Sequence, residues 1–339
     1  MSNSEIIDAV KQGDVDRLDT LLLNRPAYKR LSFPLFKEWM DLLSCTGRRS
    51  IESLSLSALL KPPNALERSI VDSYLAVEFW LNWAPQKLDA LFSGALGRVN
   101  SELKSVEGRH AQAHTKLVAR LFVHRLQNPA SYGNREPRLF VIGDSHSLVF
   151  AGHDVACDGV IHTATSMPIR GIKMFHLTPD GPEKYKRCFI ERLRSMPTGA
   201  PILLSLGEID ARPNEGIFPY AFKRKITDIE SLMEKTISGF AEFVSEQTRQ
   251  LESAPRSISL LGVHRPQYDV RKGLPPKAQP DQFLDFIGRF NDILKQEAGR
   301  QGWKFWDSYA SSQGISADNK EYVLDDFHMS PNFYKMVSN

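Results

Sequence analysis

The second part of the sequence alternates short apolar runs with longer amphipathic segments, and this rhythm constrains the fold more than any other feature. The apolar runs predict buried strands at 139–142, 159–162, 201–206, 257–263 and 304–306. The amphipathic segments between them predict helices at 182–196, 223–252 and 283–298. Such alternation is typical of an α/β fold with a parallel sheet covered by helices. The strands that end at Gly143, Gly207 and Val263 are therefore expected to open at one edge of the sheet.

The first part of the sequence has a different pattern. Apolar residues recur at helical spacing through residues 4–127, and prolines separate the segments. Residues 128–137 are rich in Pro, Gly, Ser and Asn, which indicates a linker. We therefore expect an all-helical domain over 1–130 and an α/β domain over 137–339. A protein partner, if there is one, is expected to bind through the helical domain.

Composition excludes several classes of function. Of the 339 residues, 42% are hydrophobic and 24% are charged, and a net charge of +3 gives no basic field for nucleic acid. Three cysteines are too few and too scattered for a disulfide framework or a zinc cluster. Neither a phosphate-binding loop nor a dinucleotide-binding glycine motif is present, and we predict no cofactor. The N-terminus lacks a signal-peptide pattern and no apolar run could span a bilayer, which predicts a cytoplasmic protein.

The turn after the first predicted strand carries Gly143-Asp144-Ser145. A serine at this position lies near backbone N–H groups, at the carboxyl end of a buried strand where α/β sheets bind ligands. Ser145 is therefore a candidate nucleophile. The alternative is an ordinary strand-to-helix turn that Asp144 or Ser145 caps. The adjacent His146 is either a helix-start residue or a wall of the pocket.

A second motif, Asp325-Asp-Phe-His328, lies near the C-terminus. The spacing of three residues can bring the carboxylate of Asp325 and the imidazole of His328 together on one turn. A serine nucleophile needs a base for its hydroxyl proton and an acceptor that orients the base. The sequence therefore predicts a catalytic triad of Ser145, His328 and Asp325.

These two motifs together resemble those of the SGNH/GDSL hydrolases, and the resemblance covers about residues 137–339. It implies a three-layer, flavodoxin-like parallel sheet and the activity of a serine esterase. The implied substrate is a small O-acyl ester, an O-acetyl group on a carbohydrate or glycan. The PC-esterase group of polysaccharide O-acetyltransferases and esterases is similar as well. An O-acetyltransferase, which forms the same acyl-enzyme, therefore stays open as an alternative.

A third block, Gly207-Glu-Ile-Asp210, departs from the family at one position. Gly207 and Asp210 match the family's Gly-x-Asn-Asp, but Ile209 stands where the asparagine of the oxyanion hole is expected. The resemblance makes Gly207 an oxyanion contact, and Gly171 is a candidate for the family's other oxyanion glycine. Ile209 also favours a further alternative, a non-catalytic module that binds a glycan or a protein.

Two basic side chains follow predicted strands at the same edge. Arg212 either forms an ion pair with Asp210 that shapes the loop, or enters the pocket to replace the missing amide donor or hold substrate. His264 either supports its loop or contacts a ligand. Elsewhere, His110 and His114 share a helix face, but no third ligand accompanies them, so we predict no metal site.

Overall fold

The computed structural model describes residues 3–14, 16–17, 20, 33–46, 64–99, 105–251 and 257–338. The chain divides into two compact units, Met1–Tyr132 with Arg187–Arg192, and Gly133–Lys186 with Leu193–Asn339. The first division falls between Tyr132 and Gly133, inside the predicted linker. No helix in the described ranges is long and apolar enough to cross a membrane.

The described elements of the first unit before its short 3₁₀ turn are α-helices. They are α1 (Asn3–Gln12), α2 (Phe33–Thr46), α3 (Ala65–Leu81), α4 (Pro85–Val99) and α5 (Val106–Gln127). Side-chain caps fix two of the starts, because Asn64 accepts from the N–H of Glu67 and Ser105 from that of Gly108. One stretch of the predicted helical pattern, residues 54–60, lies outside the described residues.

The second unit contains a six-stranded sheet. Its strands are β1 (Arg138–Gly143), β2 (Asp154–Cys157), β3 (Val160–Pro168), β4 (Ile202–Ser205), β5 (Ile258–Leu261) and β6 (Lys304–Trp306). The spatial order is β2-β3-β1-β4-β5-β6, and every pair is parallel except β2 with β3. Without the edge strand β2, this is the 2-1-3-4-5 order of flavodoxin-like sheets. The prediction of an α/β fold with a mostly parallel sheet is confirmed.

The antiparallel edge strand is the element of the sheet that the sequence analysis missed. Asp158 and Gly159 connect β2 to β3 with φ angles of 57° and 72°. Two consecutive residues with positive φ form the tight turn that fits a two-residue hairpin, and Asp-Gly is a preferred pair for it. The signal was therefore present in the sequence.

The helices that follow β1 in the chain correct two predictions. The α-helices among them are α6 (Glu183–Arg194), α7 (Ile217–Arg224), α8 (Ile229–Gln250), α9 (Pro280–Arg300), α10 (Ser308–Ser311) and α11 (Pro331–Val337). The helix predicted at 223–252 is confirmed over Ile229–Gln250 but begins later than predicted, because Lys225 turns left-handed with φ 55° and Asp228 caps the new helix α8. The segment after the first strand is a 3₁₀ helix, Ser145–Phe150, rather than an α-helix.

The parallel register brings three chain segments to one edge. Gly143 at the end of β1 lies opposite Ser205 at the end of β4, and Leu204 lies opposite Leu260 of β5. A Cβ atom on Gly143 would meet the carbonyl oxygen of Ser205 at 2.0 Å, so this position requires glycine. The segments that begin at Asp144, Leu206 and Gly262 therefore leave the sheet side by side.

Candidate active site

Ser145 occupies the first position of the 3₁₀ helix that follows β1. Asp144 caps this helix, and its Oδ1 accepts a hydrogen bond from the N–H of His146 at 2.8 Å. The N–H groups in the first turn of a helix have no acceptor within the helix. The Ser145 N–H is therefore available at the same turn as its half-buried hydroxyl.

The three residues of the predicted triad lie in one hydrogen-bonded chain. The Oγ of Ser145 is 3.2 Å from Nε2 of His328, and Nδ1 of His328 is 2.8 Å from Oδ1 of Asp325. The same carboxylate oxygen accepts from the N–H groups of Phe327 and His328, both at 3.0 Å. The carboxylate, its loop and the imidazole thus hold one another in place.

The pKa of His328 is lower than that of an ordinary histidine. Burial lowers it most, and the neighbouring ring of His146 lowers it further, whereas the Asp325 carboxylate opposes both effects. His328 is therefore neutral at neutral pH and can accept a proton at Nε2 while Nδ1–H points to Asp325.

His146 lies at the start of the helix but is only 3% exposed. Its Nδ1 is 2.9 Å from Oδ1 of Asp144, and its Nε2 is 2.8 Å from the carbonyl oxygen of Phe327. The ring stacks on that of His328, with centroids 4.4 Å apart and planes inclined by 29°. A second aspartate–histidine pair therefore lies against the first, a feature that the sequence analysis did not predict.

His264, which follows β5, contacts the same carbonyl group. Its Nε2 is 3.1 Å from the carbonyl oxygen of Phe327, and its Nδ1 is 2.8 Å from that of Arg265. The buried side chain of Asn291 holds the preceding residue, accepting from the N–H of Val263 at 2.8 Å and donating to its C=O at 3.0 Å. His264 is thus a support of the loop that carries His328.

Arg212 pairs with a different carboxylate from the one that the sequence suggested. Its Nη1 donates to Oε1 of Glu215 at 3.0 Å, so the expected ion pair with Asp210 is wrong. The guanidinium carbon lies 5.0 Å from the centre of the Phe327 ring. Burial lowers the pKa of Arg212, but Glu208, Asp144 and Glu215 together raise it above the ordinary value, so the side chain remains a cation.

Asp210 is buried and binds backbone rather than Arg212. Its Oδ2 accepts from the N–H of Met174 at 2.8 Å, and its Oδ1 lies 3.5 Å from the N–H of Phe175. Burial raises the pKa of Asp210 to about 6, although both amides and Lys173 oppose this rise. Asp210 therefore connects two loops within the protein. This differs both from the ion pair with Arg212 and from the substrate-binding role that its position after the strand had suggested as the alternative.

The remaining positions of the third block also serve packing. Ile209 is 7% exposed, so its side chain belongs to the core and offers no donor. Gly207 has φ 108°, and an added Cβ would lie 3.2 Å from both Met174 and Phe290. Gly171 has φ 69° in an exposed turn after β3, where an added Cβ would have only the Tyr185 hydroxyl within 4 Å, at 3.8 Å.

Glu208 lies beside His146 and His264, with one nitrogen or oxygen atom from each within 4.8 Å of the others. These side chains line a cavity of about 10 Å³, which has room for one water molecule. The four ring nitrogens each lie near a carboxylate or carbonyl oxygen. We therefore assign the group to the hydrogen-bond network rather than to a metal site.

Comparisons with known proteins gave distant structural likenesses. No family model and no curated protein matches the chain. The acetylxylan esterase Axe2 from Geobacillus stearothermophilus is 12% identical with a TM-score of 0.38, over 61% of this chain and 92% of that chain. A lipase/acylhydrolase from Enterococcus faecalis is 14% identical with a TM-score of 0.35, over 60% and 92%. The α/β hydrolase LAE5 from the metagenome of Lake Arreo is 14% identical with a TM-score of 0.31, over 61% and 94%. Likenesses of this size do not establish an activity.

Proposed function

We propose that this protein is a serine-dependent hydrolase of small O-acyl esters. One observation carries the proposal: the hydrogen-bonded chain from the Ser145 hydroxyl through His328 to Asp325, with contacts of 3.2 Å and 2.8 Å. Ser145 is half-buried and lies at the sheet edge, whereas Asp325 and His328 are held by their own loop. These contacts support the roles of Ser145 as nucleophile, His328 as base and Asp325 as the group that orients the base.

The proposed chemistry follows the order of these contacts. The Oγ of Ser145 attacks the carbonyl carbon of the ester, while Nε2 of His328 takes the hydroxyl proton. The tetrahedral intermediate then expels the alcohol, which receives that proton from the imidazolium. A water molecule repeats the sequence on the acyl-enzyme and releases the carboxylic acid. Asp325 stabilises the positive ring of His328 in both halves of the reaction.

The developing oxyanion needs positive partners, because Ile209 supplies none. The N–H of Ser145 is one donor, at the start of the 3₁₀ helix. Arg212 supplies a positive charge to the same site, because it interacts electrostatically with both Asp144 and His328. We propose that these two groups do the work that the asparagine does in the family.

The proposed substrate class follows from the motifs Gly143-Asp144-Ser145 and Asp325-x-x-His328. Their resemblance to esterases that act on O-acetyl groups favours an acetylated carbohydrate. An O-acetyltransferase would use the same acyl-enzyme, with a sugar hydroxyl in place of water. The two activities therefore differ in the acceptor and not in the residues that attack the ester.

The first experiment compares the hydrolysis of p-nitrophenyl acetate and of an acetylated xylo-oligosaccharide by the wild type and Ser145→Ala. We expect the variant to lose about a thousandfold or more in kcat, because the three residues act as a unit. Ser205→Ala is the matched control, since its buried hydroxyl has no hydrogen-bond partner within the described residues. A fluorophosphonate should label the wild type at Ser145 and leave Ser145→Ala unlabelled.

Other outcomes of these experiments would lead to different conclusions about the function. Equal hydrolysis by the wild type and Ser145→Ala would contradict the proposal, because surface groups would then account for the rate. Transfer of the acetyl group to an added sugar would assign an acetyltransferase. A wild type that neither hydrolyses esters nor reacts with the fluorophosphonate would favour the non-catalytic binding module.

A further inference from the structure

Both ring nitrogens of His146 lie next to hydrogen-bond acceptors. Nδ1 is 2.9 Å from a carboxylate oxygen of Asp144, and Nε2 is 2.8 Å from the carbonyl oxygen of Phe327. A neutral imidazole carries one N–H, so one of these contacts would bring two lone pairs together. Only the imidazolium, with an N–H at each nitrogen, satisfies both contacts. Because the side chain is almost fully buried, bulk water does not compete for either partner.

The charged and titratable groups around His146 favour the same state. Asp144 at the end of β1 and Glu208 after β4 are the acids that face it, and Arg212, also after β4, is the cation. His328, paired with Asp325, stacks on one side, and the ring of His264 lies 6.1 Å away. Burial lowers the pKa of His146, but Asp144 and then Glu208 more than offset it, so the pKa is raised overall.

A positive ring in this place affects His328 in two ways. It holds the carbonyl group of Phe327, the residue just before His328, and thereby fixes the backbone that carries the base. It also disfavours a second positive charge on the ring 4.4 Å away. His264 also has an acceptor next to each ring nitrogen, but both acceptors are neutral carbonyl oxygens, so it lacks the negative partner that Asp144 supplies to His146. We therefore assign only the first role to His264.

We propose that His146 is a permanently protonated positioning residue, which orients His328 through the carbonyl of Phe327 and keeps His328 neutral and ready to accept the Ser145 proton. The role in catalysis rests on the proposed ester hydrolysis. The charge of His146 and its effect on His328 do not, and they can be measured in an inactive protein.

The direct test is nitrogen NMR of protein with ¹⁵N-labelled histidine, in which His146→Gln and His328→Gln assign two of the nine histidines. We expect both nitrogens of His146 to remain protonated from pH 5.5 to 8.5. We expect His328 to titrate below the ordinary value of 6.5 in the wild type and at higher pH in His146→Gln. Two unit charges 4.4 Å apart should shift this titration by about 0.7 to 3 pH units, for effective dielectric constants of about 80 to 20.

The kinetic test follows the acid limb of kcat/KM for p-nitrophenyl acetate. His146→Gln should move the midpoint of this limb to higher pH, by roughly one to two pH units. His264→Gln is the matched control, because it removes the other donor to the Phe327 carbonyl but leaves the charge of His146. It should lower kcat by about two- to tenfold without moving the limb.

Four results would overturn the proposal. The first is an NMR spectrum in which His146 is neutral at pH 7. The second is an unchanged titration of His328 in His146→Gln, and the third is an equal displacement of the limb in both variants. One zinc ion per purified chain, bound at His146, would also overturn it, because the metal would replace the proton at Nε2. An inactive wild type with the expected NMR titrations would instead contradict the ester hydrolysis alone.

Discussion

Replacing Asp210 with asparagine should stabilise the protein at neutral pH, which is unusual for a change at a buried hydrogen-bonded position. The Asp210 carboxylate is 1% exposed, and it accepts the N–H of Met174 at 2.8 Å. An asparagine oxygen can keep this hydrogen bond. The asparagine NH2 group cannot accept from the N–H of Phe175, but that contact is already long at 3.5 Å. The substitution removes the cost of a buried negative charge, which two amide groups and Lys173 offset only in part.

The size of the effect follows from the pKa of Asp210, which burial raises from the ordinary 3.8 to about 6. Below about pH 4 the carboxyl is protonated in both the folded and the unfolded chain. As the pH rises towards 6, the unfolded chain releases this proton first, so the folded state loses stability. Above pH 6 both states are ionised and the loss is complete. At about 1.4 kcal/mol per pH unit, the loss amounts to roughly 3 kcal/mol.

The assay is urea unfolding of the wild type and Asp210→Asn between pH 4 and 8, followed by tryptophan fluorescence and circular dichroism. We expect equal free energies of unfolding near pH 4 and an advantage of about 1 to 3 kcal/mol for the variant at pH 7. Asp292→Asn, at an exposed position of α9, controls for the general loss of one charge. A difference that does not change with pH, or a variant that is less stable at pH 7, would refute the reasoning.

Two further substitutions test the surroundings of the site. Arg212→Ala should lower kcat for p-nitrophenyl acetate by about a hundred- to a thousandfold, and Arg212→Lys should restore only part of it, because a point charge lacks the planar fork of donors. Wild-type kcat in Arg212→Ala would exclude Arg212 from oxyanion stabilisation. Asn291→Leu should lower the free energy of unfolding by about 2 to 6 kcal/mol in urea, because it leaves both the N–H and the C=O of Val263 buried without their partner. A loss below about 1 kcal/mol would show that other groups satisfy Val263.

Most strands of the sheet were predictable because they lie in its interior, with a neighbouring strand on each side. β1, β4 and β5 have parallel neighbours on both sides and read as continuous apolar runs, which distinguishes them from helices by their length. The break between α7 and α8 was not predictable in this way. Residues 223–228 contain neither glycine nor proline, and Lys225 adopts a left-handed conformation that its side chain does not signal.

In the candidate site, likewise, some residues were predictable from the sequence and some contacts were not. Ser145, Asp325 and His328 each stand in a short local motif whose chemistry suggests a partner, and so they could be named from the sequence. The contact between His146 and Phe327 could not, because a backbone carbonyl is present at every residue and carries no pattern. Likewise, Arg212 has two acids within three residues, and only the fold determines that it pairs with Glu215 rather than Asp210.

Charge balance connects these features to the departure at Ile209. Three acids lie close together at the site, the buried Asp144 and the partly buried Glu208 and Asp325. Their charges favour a positive ring on His328 but oppose a negative oxyanion. Arg212 offsets one of these three negative charges and a protonated His146 offsets a second, so that one negative charge remains. Under the proposed function, the lost asparagine donor is therefore replaced by positive charge rather than by another amide. Charges in a low dielectric act over a longer distance than hydrogen bonds do. Arg212 and His146 can therefore stabilise the oxyanion although the side chain of Ile209 is turned into the core.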